Sequence, residues 1–297
     1  VTAAFHVKQP DIATTTDSLL DGRLRLIQPV EGYRAAIDPL LLAAAVTAPS
    51  GAAVAELGMG TGAAGLALLR RRPDLTLTGV EREPVFAAIA RANAAANGLD
   101  GRAAVIEADL AAAPDPLGER RFAAVMMNPP YLPAGRSSLS PERLRQAANV
   151  EGPEGLAGWV RAAARHLAPG GRLFVVHRAD RLADLLALLV AEIGPGGIAV
   201  LPVQARTGRA PGRILVSHQA GSRRPFHLAA PLILHEGEHF TAAARAVLHD
   251  MAPLVLQDTE RAPRALAIPP GGRIYDASTG DLSVGATGDV PDGEGAA

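Results

Sequence analysis

"AAVAELGMGTGAAGLALLRRRPDLTLTGVE", residues 52–81, decides how the rest of the chain is read. It contains a short apolar run, a turn bearing Gly58, Gly60 and Gly62, a helical period of alanine and leucine stopped by Pro73, and a second strand-like run ending in Glu81. Strand, glycine turn, helix and strand make one βαβ unit, with parallel strands and a helix covering one sheet face. Glycines in such a turn let the backbone approach a ligand closely. An acid about twenty residues beyond the turn, at the end of the second strand, can accept both ribose hydroxyls of a nucleoside.

The same alternation runs outward from this unit. Further strands are expected at 103–109, 122–128, 172–177, 198–204 and 213–219, with helices over "EPVFAAIARANAAANG", "GLAGWVRAAARHLAPGG" and "ADRLADLLALLVAEIG". Short apolar runs separated by helical periods imply an α/β fold of Rossmann-like type, a seven-stranded mostly parallel sheet with helices on both faces. "PLILHE" reads as an edge strand, and "TAAARAVLHDM" as a helix capped by Thr241. Residues 1–45 are expected to be a lead-in packed on the core as a hairpin or short helix, 46–255 the domain proper, and 256–297 an extension. Its tail, from about residue 287, is rich in Gly, Asp, Pro and Glu and is expected to be disordered. The Pro/Gly/Ser-rich stretch 132–153 reads as a mobile loop containing a short helix over "SPERLRQAANV".

Composition removes several classes. With no cysteine, disulfides, thiolate metal sites and cysteine nucleophiles are excluded. No basic segment followed by an apolar one opens the chain, and no apolar run approaches a bilayer span, so a cytoplasmic protein without membrane or metal is expected, as monomer or homodimer. The formal net charge of −1 does not announce nucleic acid. The arginine groups at 70–72, 143/145, 206/209/213 and 223/224 read first as solvated faces.

Two ligands compete for the glycine turn. Gly60 to Gly65 satisfies G-x-G-x-x-G literally and permits a dinucleotide, although Gly65 would then lie deep in the helix. The earlier phase, starting at Glu56, is the one expected of S-adenosylmethionine (SAM) sites. A sulfonium cation has no pyrophosphate to set on a helix N-terminus and needs acceptors instead. Glu56, Glu81 and Asp109 stand at successive strand ends, which favours the cation. Asp109 equally suits a helix cap before "LAAA".

The fourth strand runs into Asn128-Pro129-Pro130-Tyr131. Beside the first strand, at the point where open α/β sheets bind ligands, its end would share a crevice with the glycine turn. The Asn128 side-chain oxygen and the Pro129 carbonyl can accept both N–H bonds of an exocyclic –NH2, aiming its lone pair at a methyl donor. Proline offers no competing N–H, and Pro129 and Pro130 stiffen the turn. Tyr131 supplies a flat face for a planar substrate. A stiff turn with no ligand is the bland alternative.

Asn-Pro-Pro-Tyr after strand four, with the turn at 58–62, resembles the amino-methylating class I SAM-dependent methyltransferases. The resemblance spans roughly residues 18–250 and implies the seven-stranded class I fold and a SAM cofactor. The motif is shared by adenine-N6 enzymes and by the glutamine-N5 enzymes of peptide-release factors. "LLDGRLRLIQPVEGYRAAIDPLLLAAAV", 19–46, resembles the lead-in of bacterial enzymes that methylate adenine N6 in valine tRNA. That implies an RNA substrate, tRNA, and places Tyr33, Arg34 and Asp38 over the cofactor. Packing and capping of the helix at 39–46 would account for the same three residues.

"HEGEH", 235–239, matches the zinc-protease pattern by its letters. Gly237 between the histidines and a cap at Thr241 argue that no helix spans them, and no metal is expected. The leading expectation is therefore methyl transfer from SAM to adenine N6 in tRNA. Behind it stand a release-factor glutamine methyltransferase, a NAD-binding oxidoreductase and a non-catalytic RNA-binding module.

Overall fold

The computed structural model describes residues 12–30, 34–131 and 155–256, and the backbone of two later strands, Arg273–Asp276 and Asp281–Val284. Tyr33, the stretch 132–153 with its expected helix, and the tail from 287 lie outside the described residues. The chain divides into two compact units, Val1–Gln257 and Asp258–Ala297. Within the second unit, the two late strands pair antiparallel.

In the first unit a hairpin leads, β1 Thr14–Leu19 with β2 Leu24–Pro29, followed by helix α1, Asp38–Ala45. The sheet proper contains β3 Ala53–Leu57, β4 Thr76–Glu81, β5 Ala103–Glu107, β6 Phe122–Met127, β7 Leu167–Arg178, β8 Ile198–Arg206 and β9 Arg213–Gln219. Their spatial order is β5-β4-β3-β6-β7-β9-β8, all parallel except β9. These are the seven strands expected. Among the described residues the sheet counts ten, because β10 His227–Leu228 and β11 Leu232–Glu236 both run parallel along the free edge of β8, and β12 His239–Phe240 folds back on β11.

The alternation of side chains along each strand feeds two cores. Val54, Leu77, Ala124 and Met126 face one core with α1, α2 (Ala63–Arg71), α3 (Pro84–Ala96) and α6 (Ala242–Leu248). Ala55, Leu57, Val125 and Met127 face the other, with α4 (Gly155–His166) and α5 (Leu182–Glu192). Helices on both faces are thus the consequence of strands that are apolar on both sides. All eight residues of α1 are buried, which suits its unbroken apolar sequence after Asp38-Pro39.

Two details differ from the expected elements. β7 begins at Leu167, directly after α4, and Leu167 already pairs with Phe122; the pairing shifts register between Phe122 and Ala124. The glycines at 170 and 171 therefore sit inside an irregular strand start rather than ending a helix. The hairpin is held by two asparagines that the sequence did not mark, Asn93 on α3 and Asn97 at its C-terminal cap. Asn93 Nδ2–H donates to Ile27 O and Thr61 O, both 2.9 Å, and its Oδ1 accepts from Ile27 N–H at 2.7 Å. One turn later Asn97 repeats the pairing with Arg25, donating to its carbonyl at 2.7 Å and accepting from its N–H at 3.0 Å. Two amides at i and i+4 share one helix face, so they meet alternate residues of a single strand.

"HEGEH" resolves into strand, turn and strand: His235 is in β11, Gly237 turns with φ +59°, and His239 is in β12. Thr241 caps α6, its Oγ1 accepting from Ala244 N–H at 3.1 Å. No helix among the described residues is long and apolar enough to cross a membrane.

Candidate active site

At the C-terminal edge of the parallel strands lies a cavity of about 310 Å³, within the range of small-molecule sites. Its walls include Glu56, Gly58 and Gly60 from the β3 turn, Glu81 from β4, Asp109 after β5, and Asn128 to Tyr131 after β6. Four of the sheet's crossovers meet here because parallel strands all deliver their ends to one edge.

The glycine turn is built by strand β4. Val80 O accepts from Gly58 N–H and Met59 N–H, both at 2.9 Å, folding the turn back over the sheet. Gly58, Gly60 and Gly62 all have positive φ, at +70°, +56° and +90°, and Gly62 stands at the N-cap of α2. Gly62 is thus a structural member of the turn and is not among the cavity-lining residues. Gly65 has a separate reason. A β-carbon there would lie 2.3 Å from Glu56 Oε2 and 2.3 Å from Leu77 Cδ2, so the third glycine of the literal G-x-G-x-x-G makes room for protein atoms.

The three carboxylates differ in environment. Glu56 is 3% exposed, and its Oε2 has no hydrogen-bond partner among the described residues. Burial holds its carboxyl well above the usual carboxylate range; the Gly65 backbone N–H works against that rise and repulsion from Glu81 adds to it. Glu81 Oε2 accepts from Gly60 N–H at 2.7 Å and Oε1 from Glu83 N–H at 2.8 Å. Burial also raises Glu81, and those N–H bonds work against the rise. Each oxygen retains acceptor capacity for a hydroxyl. Asp109 Oδ1 accepts from Ala111 N–H at 2.9 Å, so it caps a local turn while lining the cavity. No helix follows Asp109, so the expected helix cap is a turn instead. Thr61 Oγ1 is a further buried polar atom without a partner among the described residues.

The Asn-Pro-Pro-Tyr turn brings in distant residues. Tyr131 Oη lies 2.7 Å from Asn128 Oδ1 and 2.7 Å from Asp38 Oδ2. Arg213 Nε–H donates to the same Asp38 oxygen at 2.8 Å, and its guanidinium carbon stands 4.8 Å from the Tyr131 ring centre. The His177 ring meets Tyr131 edge-on at 5.4 Å. His177 Nδ1 accepts from Arg178 N–H, while Nε2 has no partner among the described residues, and burial lowers its pKa to about 4.

Asp38 and Arg34 are not among the cavity-lining residues. Asp38 faces Tyr131 and Arg213. Arg34 pairs with Asp17 at 2.6 Å and donates to Thr15 and Pro29 of the hairpin. Sequence reasoning missed Trp159 on α4, which lines the cavity beside Gly58, and Arg213, at the start of β9. Trp159 is the chain's sole tryptophan, a signal that could have been weighed.

Carboxylates around a glycine turn, two unpartnered buried polar atoms and an amide at the next strand end suit a nucleoside cation carrying hydroxyl and amine groups. Comparison with known proteins agrees. A crystal structure from Agrobacterium tumefaciens described as a "predicted O-methyltransferase" matches with a TM-score of 0.60 and 28% identity, over 73% of this chain and 98% of that one. The tRNA1(Val) (adenine(37)-N6)-methyltransferase of Porphyromonas gingivalis strain ATCC 33277 is 35% identical over 133 residues, 44% of this chain and 51% of that protein. The release factor glutamine methyltransferase of Geobacter sulfurreducens is 38% identical over 135 residues, 43% of this chain and 46% of that protein. The chain thus spans about half the length of these curated relatives. The family model described as "Methyltransferase small domain" matches residues 37–189, just over half of the chain. On that match and the class I methyltransferase architecture of its sheet, the chain belongs to the methyltransferase small domain family.

Proposed function

We propose that this chain transfers a methyl group from SAM to an exocyclic amino group, adenine N6 in a tRNA. The observation that carries the reading is that the glycine turn of β3 and Asn128 to Tyr131 after β6 line one cavity. The first is a cradle for a nucleoside, the second an acceptor set for –NH2.

The residues present suit SAM. Glu81 would hold ribose hydroxyls, Asp109 the adenine, and Glu56 with Gly58, Gly60 and Thr61 the amino-acid end. Gly58 has no side chain where Trp159 closes over the turn. When bound, SAM supplies an electrophilic methyl carbon. The chain's own contribution is positioning and electrostatics. The Asn128 side-chain oxygen and Pro129 carbonyl accept the two N–H bonds and draw the nitrogen toward tetrahedral geometry. Pro129 and Pro130 hold that carbonyl rigid. Tyr131 presents its ring to the base.

The choice of tRNA rests on the lead-in and on the Porphyromonas relative. The hairpin Thr14–Pro29 and helix α1 stand in that lead-in, and β2 is bonded to Asn93 of α3 and to Asn97 just after it. The Geobacter relative supports a second reading, glutamine N5 of a release factor. A NAD-binding oxidoreductase leaves Asn128 without a task, and the room beside Gly65 is taken by Glu56 and Leu77. A binding module without turnover would have no use for a complete acceptor set.

The test is transfer of labelled methyl from SAM into unmodified tRNA, in parallel with unmodified release factor. Label recovered as N6-methyladenine is the expected result. Label in the release factor alone moves the assignment to glutamine, and label in neither contradicts both.

A further inference from the structure

Beside the cavity, one proton is asked to serve two oxygens. Tyr131 Oη is 2.7 Å from Asp38 Oδ2 and 2.7 Å from Asn128 Oδ1. A phenol carries a single proton, so with both neighbours acceptors one contact is left as a bare oxygen–oxygen approach. Asp38 is the stronger claimant. It is 9% exposed, and Arg213 Nε–H fixes the same oxygen at 2.8 Å. A hydrogen bond to a charged carboxylate is roughly twice as strong as one to a neutral amide. An amide turned end for end fills the same volume and offers Nδ2–H to the tyrosine oxygen. Every group is then satisfied, and the Asn128 carbonyl oxygen is released from Tyr131.

We propose that Asp38 and Arg213 are positioning residues that set the orientation of the Asn128 amide through the Tyr131 hydroxyl. Arg213 Nε–H and Tyr131 O–H both donate to Asp38, and Asn128 Nδ2–H donates to Tyr131 Oη. The Asn128 oxygen is thereby kept as the acceptor for the incoming amine before substrate arrives. Arg213 acts a second time by standing over the Tyr131 ring at 4.8 Å, which fixes the ring plane. The three segments involved are far apart in sequence: the start of α1, the turn after β6 and the start of β9. The inference rests on the reading of Asn128 as the amine acceptor.

The test begins on the protein without cofactor. With 15N-labelled asparagine, the Asn128 side-chain NH2 signal is assigned by its loss in Asn128→Asp. In Tyr131→Phe, which keeps the ring, and in Asp38→Ala, that signal is expected to shift and its exchange with water to accelerate. In turnover, Tyr131→Phe lowers kcat about tenfold to a hundredfold with KM within about threefold, as misorientation of one acceptor predicts. Asp38→Ala on top of Tyr131→Phe adds no further loss, and Arg213→Lys retains more activity than Arg213→Met. An unmoved Asn128 signal in Tyr131→Phe, or losses that multiply in the double variant, would overturn the proposal. A moved signal in a protein that methylates no amine upholds the amide orientation and refutes the function assigned to it, so the two failures are distinguishable.

Discussion

Trp159 lies directly against Gly58: a β-carbon added to that glycine would stand 2.4 Å from the indole Cη2 and 2.8 Å from Cζ3. A helix on the second face of the sheet therefore closes over the turn that begins the ligand cradle. Gly58 is doubly constrained, since its φ of +70° also disfavours any side chain. Gly58→Ala is expected to weaken SAM binding about fivefold to 150-fold, the effect of roughly 1–3 kcal/mol of local strain. Trp159→Ala in the same chain relieves the collision but not the backbone, so it recovers only part of the affinity. Titration calorimetry on the single and double variants checks both, and a Gly58→Ala protein that binds SAM normally contradicts the role given to the turn.

The hairpin hangs on Asn93, whose side chain is fully buried and makes three hydrogen bonds. Asn93→Ala would strip partners from Ile27 and from Thr61 in the glycine turn. Loss of about 2–4 kcal/mol is expected, since each orphaned buried group costs of order 1 kcal/mol or more. Denaturant unfolding measures it. Hydrogen exchange at Ile27 should accelerate together with that at residues of the turn, because one side chain ties the two.

Two buried groups give opposite pH slopes. The native pKa of His177, about 4, lies below its ordinary 6.5, so the unfolded chain binds more protons between those values. The stability that neutral His177 confers is present above pH 6.5 and lost on acidification toward pH 4, to the extent of about 3 kcal/mol at most. Glu56 has a raised native pKa, so the folded chain holds the proton longer than the unfolded one. Its contribution is most favourable below pH 4.5 and declines as pH rises above that. Glu56→Gln should remove this decline and stabilise the protein at neutral pH, whereas His177→Gln should flatten the acid limb. Melting temperature against pH for the two variants separates these effects, and a Glu56→Gln protein with an unchanged alkaline slope counts against the burial of an ionisable carboxyl there.

Most of the architecture was legible because it is local. Strand β3, its glycine turn and Glu81 follow from residues within thirty positions of one another. So does Asn128 at the end of β6, where two prolines leave the chain no way to continue as a central strand. Arg213, Trp159, Asn93 and Asn97 were not legible. Each acts across the fold on a segment far away in sequence, and nothing in the neighbourhood of Arg213 distinguishes it from a solvated arginine. The early start of β7 escaped for a different reason: Leu167 pairs with Phe122 through an irregular stretch whose glycines, read locally, signal a stop.

The most direct measurement compares wild type and Asn128→Ala for two quantities, SAM affinity and single-turnover transfer of labelled methyl to unmodified tRNA. If Asn128 acts on the amine, transfer falls about a hundredfold to a thousandfold, as for removal of one oriented polar group from a transition state, while SAM affinity is unchanged. An Asn128→Ala protein that transfers at the wild-type rate, or one that loses SAM binding in step with transfer, would contradict the account.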